Sequence, residues 1–462
     1  MQRYYFGGQV KTKMYQGCCH PLLQKMWRGF CFRAGEIAFE ETDEMIFVLG
    51  DEMPPALDEK AEYALRVTEQ GAAVRAASRE ALCRGYFDLL RAIRAESLEA
   101  GGERFYLEAR CEQKVYDIAV RMVHLCVFPE TSLTFLKKTI RLCAALHYTH
   151  VILEFWGMLQ YDCLKELAWP MAYTKAQAKE VIDEIRALGM EPVPMFNHLG
   201  HAAGSRLKYG KHVVLDQNPR LQTYFGEDAW TWNTHNPKTV ELLKNVRREL
   251  YDLFGPGEYV HIGIDEAYKY SWDVSLADTF AAFLGDLTDK ILLEEGRRPI
   301  IWGDMLLNKA AVGVENSQDK YFCLCKDQRI ADTVFNRLDR RVIIADWQYW
   351  VYETPVKTVP YLKGKGFDVL ICPWDNIKNV KACVDTARSE GILGFMDTTW
   401  HTLCEGFNGI YTGANHSDAA HADEALVDKH AQLYDTAAIF RKVVDDFEGY
   451  ENCGWKREQI EY

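Results

Sequence analysis

Asp265 and Glu266 are the residues of this chain best placed to do acid–base chemistry. They are adjacent, and they follow the apolar run Tyr259–Ile264 (YVHIGI), which contains a glycine. Neighbouring side chains on a strand point to opposite faces, but at a strand end entering a loop both can turn the same way. Two carboxylates held close repel each other, which raises at least one pKa and keeps one group protonated near neutrality. Such a group can serve as a general acid. The plainer alternative is a solvated acidic turn, or Glu266 capping the helix that follows.

Other chemistry-bearing residues recur at the ends of apolar runs. Arg121 and His124 belong to Ile118–Cys126, and Glu154 belongs to Thr149–Phe155. Asn197, His198 and His201 follow Glu191–Phe196. Trp302 ends Pro299–Trp302 and Asp304 follows it; Trp347 and Tyr349 follow Arg341–Ala345. Trp374 follows Phe367–Cys372, and Trp400 follows Gly391–Asp397, with Glu405 just beyond. Four of the 12 tryptophans therefore fall after the last four runs. Any one of them could be core. Together, flat apolar rings with carboxylates between them suit a sugar better than a metal or a phosphate. His198 and His201, at i and i+3, have no third ligand at suitable spacing, so neither a metal nor another cofactor is expected.

The elements that must position these residues follow from the same runs. With Tyr259–Ile264 they make eight candidate strands, several apolar on both faces as in a parallel sheet. Helices are expected between them over Thr174–Leu188, Pro237–Leu253, Ser275–Glu295, Pro355–Lys363 and Asn376–Ser389. Eight strand–helix units over about 285 residues fit a (β/α)8 TIM barrel, in which reactive groups gather at the C-terminal strand ends. A doubly wound sheet is the rival, but no glycine-rich turn follows the first strand. Ala419–Phe447 is expected to supply the eighth outer helix. Before the barrel, Met45–Leu49 and Tyr63–Thr68 read as strands, with a turn at Glu69-Gln70-Gly71 into Ala73–Ala76. Arg79–Ile93 has helical spacing. The expected division is a small α+β domain, residues 1–114, and a catalytic barrel with a C-terminal helical extension, residues 115–462.

Composition narrows the partners. The chain has 462 residues, 54 Lys and Arg against 67 Asp and Glu, and a net charge of -13. Acidic chains repel phosphate backbones, so nucleic acid is not an expected partner. No run reaches the roughly 18–20 apolar residues of a membrane span. Residues Met1–Val10 lack the apolar stretch of a signal peptide. The 14 cysteines are scattered without a CxxC pair, as in a reduced, cytoplasmic protein. A homodimer is compatible with all of this.

Tyr259–Glu266 (YVHIGIDE) resembles the H-x-G-x-D-E signature of glycoside hydrolase family 20, the β-N-acetylhexosaminidases. Ala61–Ile93 is similar to the family's small N-terminal domain, and Tyr173–His201 to its helix, strand and histidine turn. Ile301–Met305 (IWGDM) and Gly391–Trp400 (GILGFMDTTW) resemble its fifth and last strands. The likeness covers most of residues 60–400 in order and is nearest the intracellular hexosaminidase D-like branch. It implies removal of terminal GlcNAc or GalNAc by a retaining mechanism in which the substrate's own acetamido group is the nucleophile. On that reading Glu266 is the acid–base, Asp265 orients the acetamido N–H, and Tyr349 holds its oxygen. Trp302, Trp347 and Trp400 wall the sugar, Arg121 binds its hydroxyls, and His201 supports the carboxylates. Asp304, Trp374 and Glu405 are further sugar contacts. The partner is a small carbohydrate ending in an N-acetylhexosamine.

The chain also departs from that branch. Its second strand runs Glu154-Phe155-Trp156-Gly157-Met158-Leu159 where E-Y-E-D-x-F is usual, so Trp156-Gly157 replaces an acidic pair. Ile264 stands where a small residue is usual. Two other functions remain open at this level. One is a two-carboxylate glycosidase on a sugar lacking an acetamido group, with Asp304 or Glu154 as partner to Glu266. The other is a non-catalytic sugar-binding protein, against which the presence of both Asp265 and Glu266 argues.

Overall fold

The continuous apolar runs pair side by side and close on themselves. In the computed structural model, which describes residues 2–6, 10–31, 39–99, 102–202, 219–228, 230–400, 403–418 and 439, eight parallel strands form a barrel. In order they are Val120–Cys126, His150–Glu154, Glu191–Met195, Tyr259–His261, Arg298–Trp302, Ile343–Trp347, Asp368–Cys372 and Gly394–Thr399. The first pairs with the last, Val120 opposite Gly394, which closes the ring. Successive side chains alternate in and out. Met122, Ile152, Val193, Met195, Ile300, Trp302, Ala345, Leu370 and Met396 pack inside the barrel as one cluster. Val123, Leu125, Val151, Leu153, Ile301, Ile344, Val369 and Ile371 face the surrounding helices in a second, larger one.

Helix boundaries follow capping chemistry. Thr174 and Gln177 form a reciprocal capping box before Lys175–Ala187, and Asn236 caps Pro237–Phe254, with proline at its start. Ser132 and Asp327 cap Leu133–Ala145 and Gln328–Arg337, two barrel helices beyond those expected from the sequence. The fourth strand is shorter than expected, because Gly263 and Ile264 leave extended geometry. After the last strand comes Leu403–Ser417. That helix takes the place expected for Ala419–Phe447, a segment outside the described residues except for Ile439.

Before the barrel, a six-stranded sheet includes the hairpin Tyr63–Thr68 and Gly71–Ala76. The helix Arg79–Ala92, capped by Ser78, packs on it. The last strand of this sheet ends at Lys114 and the first barrel strand starts at Val120. Among the described residues no helix is long and apolar enough to cross a membrane.

Candidate active site

The fourth strand stops at His261, and the backbone that follows turns both carboxylates to one side. Gly263 and Ile264 have left-handed φ angles of 71° and 85°, and Glu266 has 49°. Glycine takes such angles freely, whereas a β-branched residue does so only when its surroundings hold it there. Those surroundings are the third-strand loop. A Cβ on Gly263 would lie 2.4 Å from the Asn197 carboxamide carbon, and one on Gly200 would lie 2.0 Å from the Asp265 carbonyl oxygen. Asn197 Oδ1 accepts the N–H groups of Leu199 and Ile264 at 3.2 and 3.1 Å, and its Nδ2 donates to Asp265. Of the five non-glycine residues with positive φ among the described residues, four surround the pair: Trp156, His201, Ile264 and Glu266. Such clustering of unfavourable backbone geometry is a mark of functional sites.

His201 joins the two acids. Its Nε2 lies 3.1 Å from Asp265 Oδ2 and 3.1 Å from Glu266 Oε2. Burial alone would lower its pKa, but the charges and hydrogen bonds of Asp265 and then Glu266 prevail and raise it to about 9. The ring is therefore an imidazolium near neutrality. The carboxyl that burial and repulsion push well above its ordinary range is that of Asp304. Burial is the larger cause and the Asp265 charge the next. Asp304 Oδ2 accepts the Glu266 N–H and its Oδ1 accepts Trp347 Nε1–H, both at 3.0 Å.

Aromatic rings line the mouth in a continuous chain. Phe322 lies 4.2 Å from Trp347 between centroids, Trp347 lies 5.1 Å from Tyr349, and Tyr349 lies 5.5 Å from Trp374. Trp400 Nε1 donates to the Tyr349 hydroxyl, and its ring lies 5.6 Å from Trp302. Trp302 in turn meets His261 at 4.4 Å. On the other flank, Trp230 and Trp156 contact the His201 ring, and Trp230 Nε1 donates to the Glu266 carbonyl at 2.8 Å.

The structure thus gathers Asp265, Glu266, His201, Asp304, Trp302, Trp347, Tyr349, Trp374 and Trp400 at one end of the barrel. Arg121 is a correction. It is the second residue of its strand, hence at the opposite end, and it shares the outward parity of Val123 and Leu125. There it donates to the carbonyls of His147 and Ile118 and stacks over Tyr116. Its carboxylate neighbour is Glu62 at 3.9 Å, while Glu154 faces His124 at 2.9 Å. His198 is buried against the Phe196 carbonyl, and burial pushes its pKa down to about 3; it does not join His201. Glu405 lies in Leu403–Ser417 at a position whose side chain is outside the described residues. Trp230 and Phe322 are site residues that strand-end reading did not select, and Asn197 was placed at a strand end there without a role. For Asn197 the signal was present, in its inward parity with Val193 and Met195.

Residues 149–406, more than half of the chain, match the family model described as glycosyl hydrolase family 20, catalytic domain. Among curated proteins, the chain is 24% identical over 188 residues to a lacto-N-biosidase of Bifidobacterium bifidum, covering 37% of this chain and 16% of that protein. It is 23% identical over 221 residues to a probable β-hexosaminidase of Arthroderma benhamiae, covering 44% and 32%. It therefore spans a third or less of the length of these relatives. Among solved structures, Flavobacterium johnsoniae chitobiase superposes with a TM-score of 0.65 at 16% identity, covering 96% of this chain and 71% of that one. At that identity the likeness speaks for the fold.

Proposed function

The chain belongs to glycosyl hydrolase family 20, and on that premise we propose that it is a retaining exo-β-N-acetylhexosaminidase acting on carbohydrates that end in GlcNAc or GalNAc. The observation that carries this reading is the convergence of Asp265 and Glu266 on one imidazolium, inside a ring of tryptophans. The substrate's acetamido carbonyl oxygen attacks the anomeric carbon as Glu266 gives its proton to the departing glycosidic oxygen. The ring-fused oxazolinium that forms carries positive charge, and Asp265 accepts its N–H and offsets that charge. Glu266, now a carboxylate, takes a proton from water as the water opens the oxazolinium, which restores the β-configuration. Asn197 and His201 hold Asp265 in place, and the Tyr349 hydroxyl positions the acetamido oxygen.

Asp304 is poorly suited to be a covalent nucleophile. Burial and the Asp265 charge push its pKa well above the ordinary carboxylate range, and both of its oxygens are engaged, one by Trp347 Nε1–H and one by the Glu266 amide, which weakens it as a nucleophile. This favours the substrate's own acetamido group in that role. A panel of nitrophenyl glycosides tests the proposal. Hydrolysis of β-GlcNAc or β-GalNAc substrates, inhibited by a thiazoline that mimics the oxazoline, is expected. Hydrolysis confined to a sugar without an acetamido group and insensitive to the thiazoline would sink it.

A further inference from the structure

Directly below the aromatic ring, the first two barrel strands bring together three side chains that the reaction above does not use. His124 and Cys126 project inward from one strand, two residues apart, and Glu154 projects inward from the next, with Cys126 and Glu154 opposite each other in register. All three are buried. His124 Nε2 lies 2.9 Å from Glu154 Oε2, and Cys126 Sγ lies 3.5 Å from the same oxygen. Among the described residues this is the one place where three metal-ligating side chains hold their ligand atoms within 4.8 Å of one another.

Two of these separations approach those of a coordination polyhedron, and the third must close to at most about 3.7 Å. A tetrahedral zinc ion with bonds of about 2.0–2.3 Å to N, O and S has ligand–ligand edges of roughly 3.3–3.7 Å. The Sγ–Oε2 separation already has that length, and the Nε2–Oε2 separation needs to open by a few tenths of an ångström. The donor set of one imidazole, one thiolate and one carboxylate is of the borderline softness that zinc accepts, and it is ill suited to calcium or magnesium. His124 Nδ1 is buried with no hydrogen-bond partner. Because Nε2 is the nitrogen on the Glu154 side, the tautomer with its proton on Nδ1 is the one that offers Nε2's lone pair to an ion. The site lies in the barrel interior, where a buried carboxylate is costly unless it is paired, and a cation beside it offsets that cost.

We propose that His124, Cys126 and Glu154 form a zinc site beneath the candidate sugar pocket, with water as fourth ligand. Binding exchanges the Cys126 thiol proton, and the proton held between His124 and Glu154 where it does not move to Nδ1, for the ion. The His124 ring packs on Trp400 at 4.8 Å and on Trp302 at 6.1 Å, so the ion's role is to fix the underside of two pocket walls.

The test uses the full chain, stripped with a chelator and titrated with zinc sulfate against a chromophoric competitor. One equivalent is expected to bind with a dissociation constant below about 1 µM. Cys126→Ser and Glu154→Gln are each expected to weaken binding by at least about tenfold. Cobalt gives a second readout that does not depend on the variants' stability. The wild-type protein loaded with cobalt(II) should show thiolate-to-cobalt charge-transfer absorption, and Cys126→Ser should not. The proposal is overturned if the wild type binds no stoichiometric zinc, if its cobalt form lacks the thiolate band, or if both variants keep full zinc affinity. None of these readouts depends on which glycoside the protein hydrolyses.

Discussion

The barrel carries buried charged groups at both ends, arranged in contrasting ways. At the N-terminal end, Arg121 is capped by the carbonyls of Ile118 and His147 at 2.7 and 3.1 Å and lies over the Tyr116 ring. Beside it His147 pairs with Asp88, which also accepts a hydrogen bond from Tyr63. His147–Asp88, with Arg121–Glu62 at 3.9 Å, joins the small domain to the barrel, and each of these contacts runs from one protein group to another. At the C-terminal end, Asp265 and Glu266 share one histidine, and Glu266 remains about a quarter exposed. Backbone geometry differs in parallel: among the described residues, four of the five non-glycine residues with positive φ are at that end and His147 is at the other. Burial of charge is common to both ends. What separates a site from a structural network is convergence of acids on open space, held by a backbone that their own sequence disfavours.

The sharpest way to break that contrast is to change each end by single substitutions. Asp265→Asn and Glu266→Gln preserve shape and are expected to lower kcat on an aryl β-N-acetylglucosaminide by about 10²–10⁴-fold, with thermal unfolding midpoints unchanged. If Asp265→Asn keeps full activity, the substrate acetamido group is not the nucleophile. At the other end, Arg121→Ala orphans two carbonyls at about 1–3 kcal/mol each. Denaturant unfolding should show a loss of about 3 kcal/mol, while kcat/KM of the folded enzyme stays at the wild-type value. A stable Arg121→Ala protein with a raised KM would return Arg121 to the sugar pocket.

The Arg121 case also shows what the sequence carries and what it withholds. All eight barrel strands, and the place of the adjacent acids at a strand end, are legible because buried parallel strands are apolar runs and the pair follows one of them. Which residue of a run reaches the mouth depends on where the strand begins and on its parity. For Val120–Cys126 that means His124 and Cys126 face inward, while Arg121 faces out at the far end. Phe322 and Trp230 reach the site from loops, through contacts far apart in sequence that no local pattern encodes. The left-handed φ of Ile264 opposes its own propensity and is set by Asn197, 67 residues away. Capping residues such as Ser132 and Asp327 were present to be read, but short amphipathic helices give weaker periodic signals than the strands between them.

Asp304 tests the contrast more finely, because it is a buried acid inside the mouth. Burial and the Asp265 charge push its pKa well above the ordinary carboxylate range, and Asp304→Asn keeps the shape of the group. It replaces one accepting oxygen by a donor facing the Glu266 amide or Trp347 Nε1. The expected cost in kcat is no more than about tenfold, the worth of one hydrogen bond. A nucleophile removed in the same way would cost far more, so a loss of 10³-fold or greater would move the enzyme to a two-carboxylate mechanism.

The smallest expected effect is a pH dependence at His201. Its pKa is raised in the folded protein from 6.5 to about 9 by Asp265 and Glu266, against the opposing effect of burial. A group with a raised folded pKa binds more protons in the folded than in the unfolded state between those two values. Its stabilisation is therefore complete below about pH 6.5, the ordinary histidine value, and is lost as pH rises through about 9. Comparing unfolding midpoints of the wild type and His201→Gln from about pH 6 to about pH 10 isolates this contribution, because the other titrations are common to both proteins. The gap between the two should be widest at the acid end of that window and close toward the alkaline end. A gap that stays constant with pH would mean that His201 is held there by its contacts with Trp156 and Trp230 rather than by charge. The mouth would then be built, like the opposite end, mainly by packing.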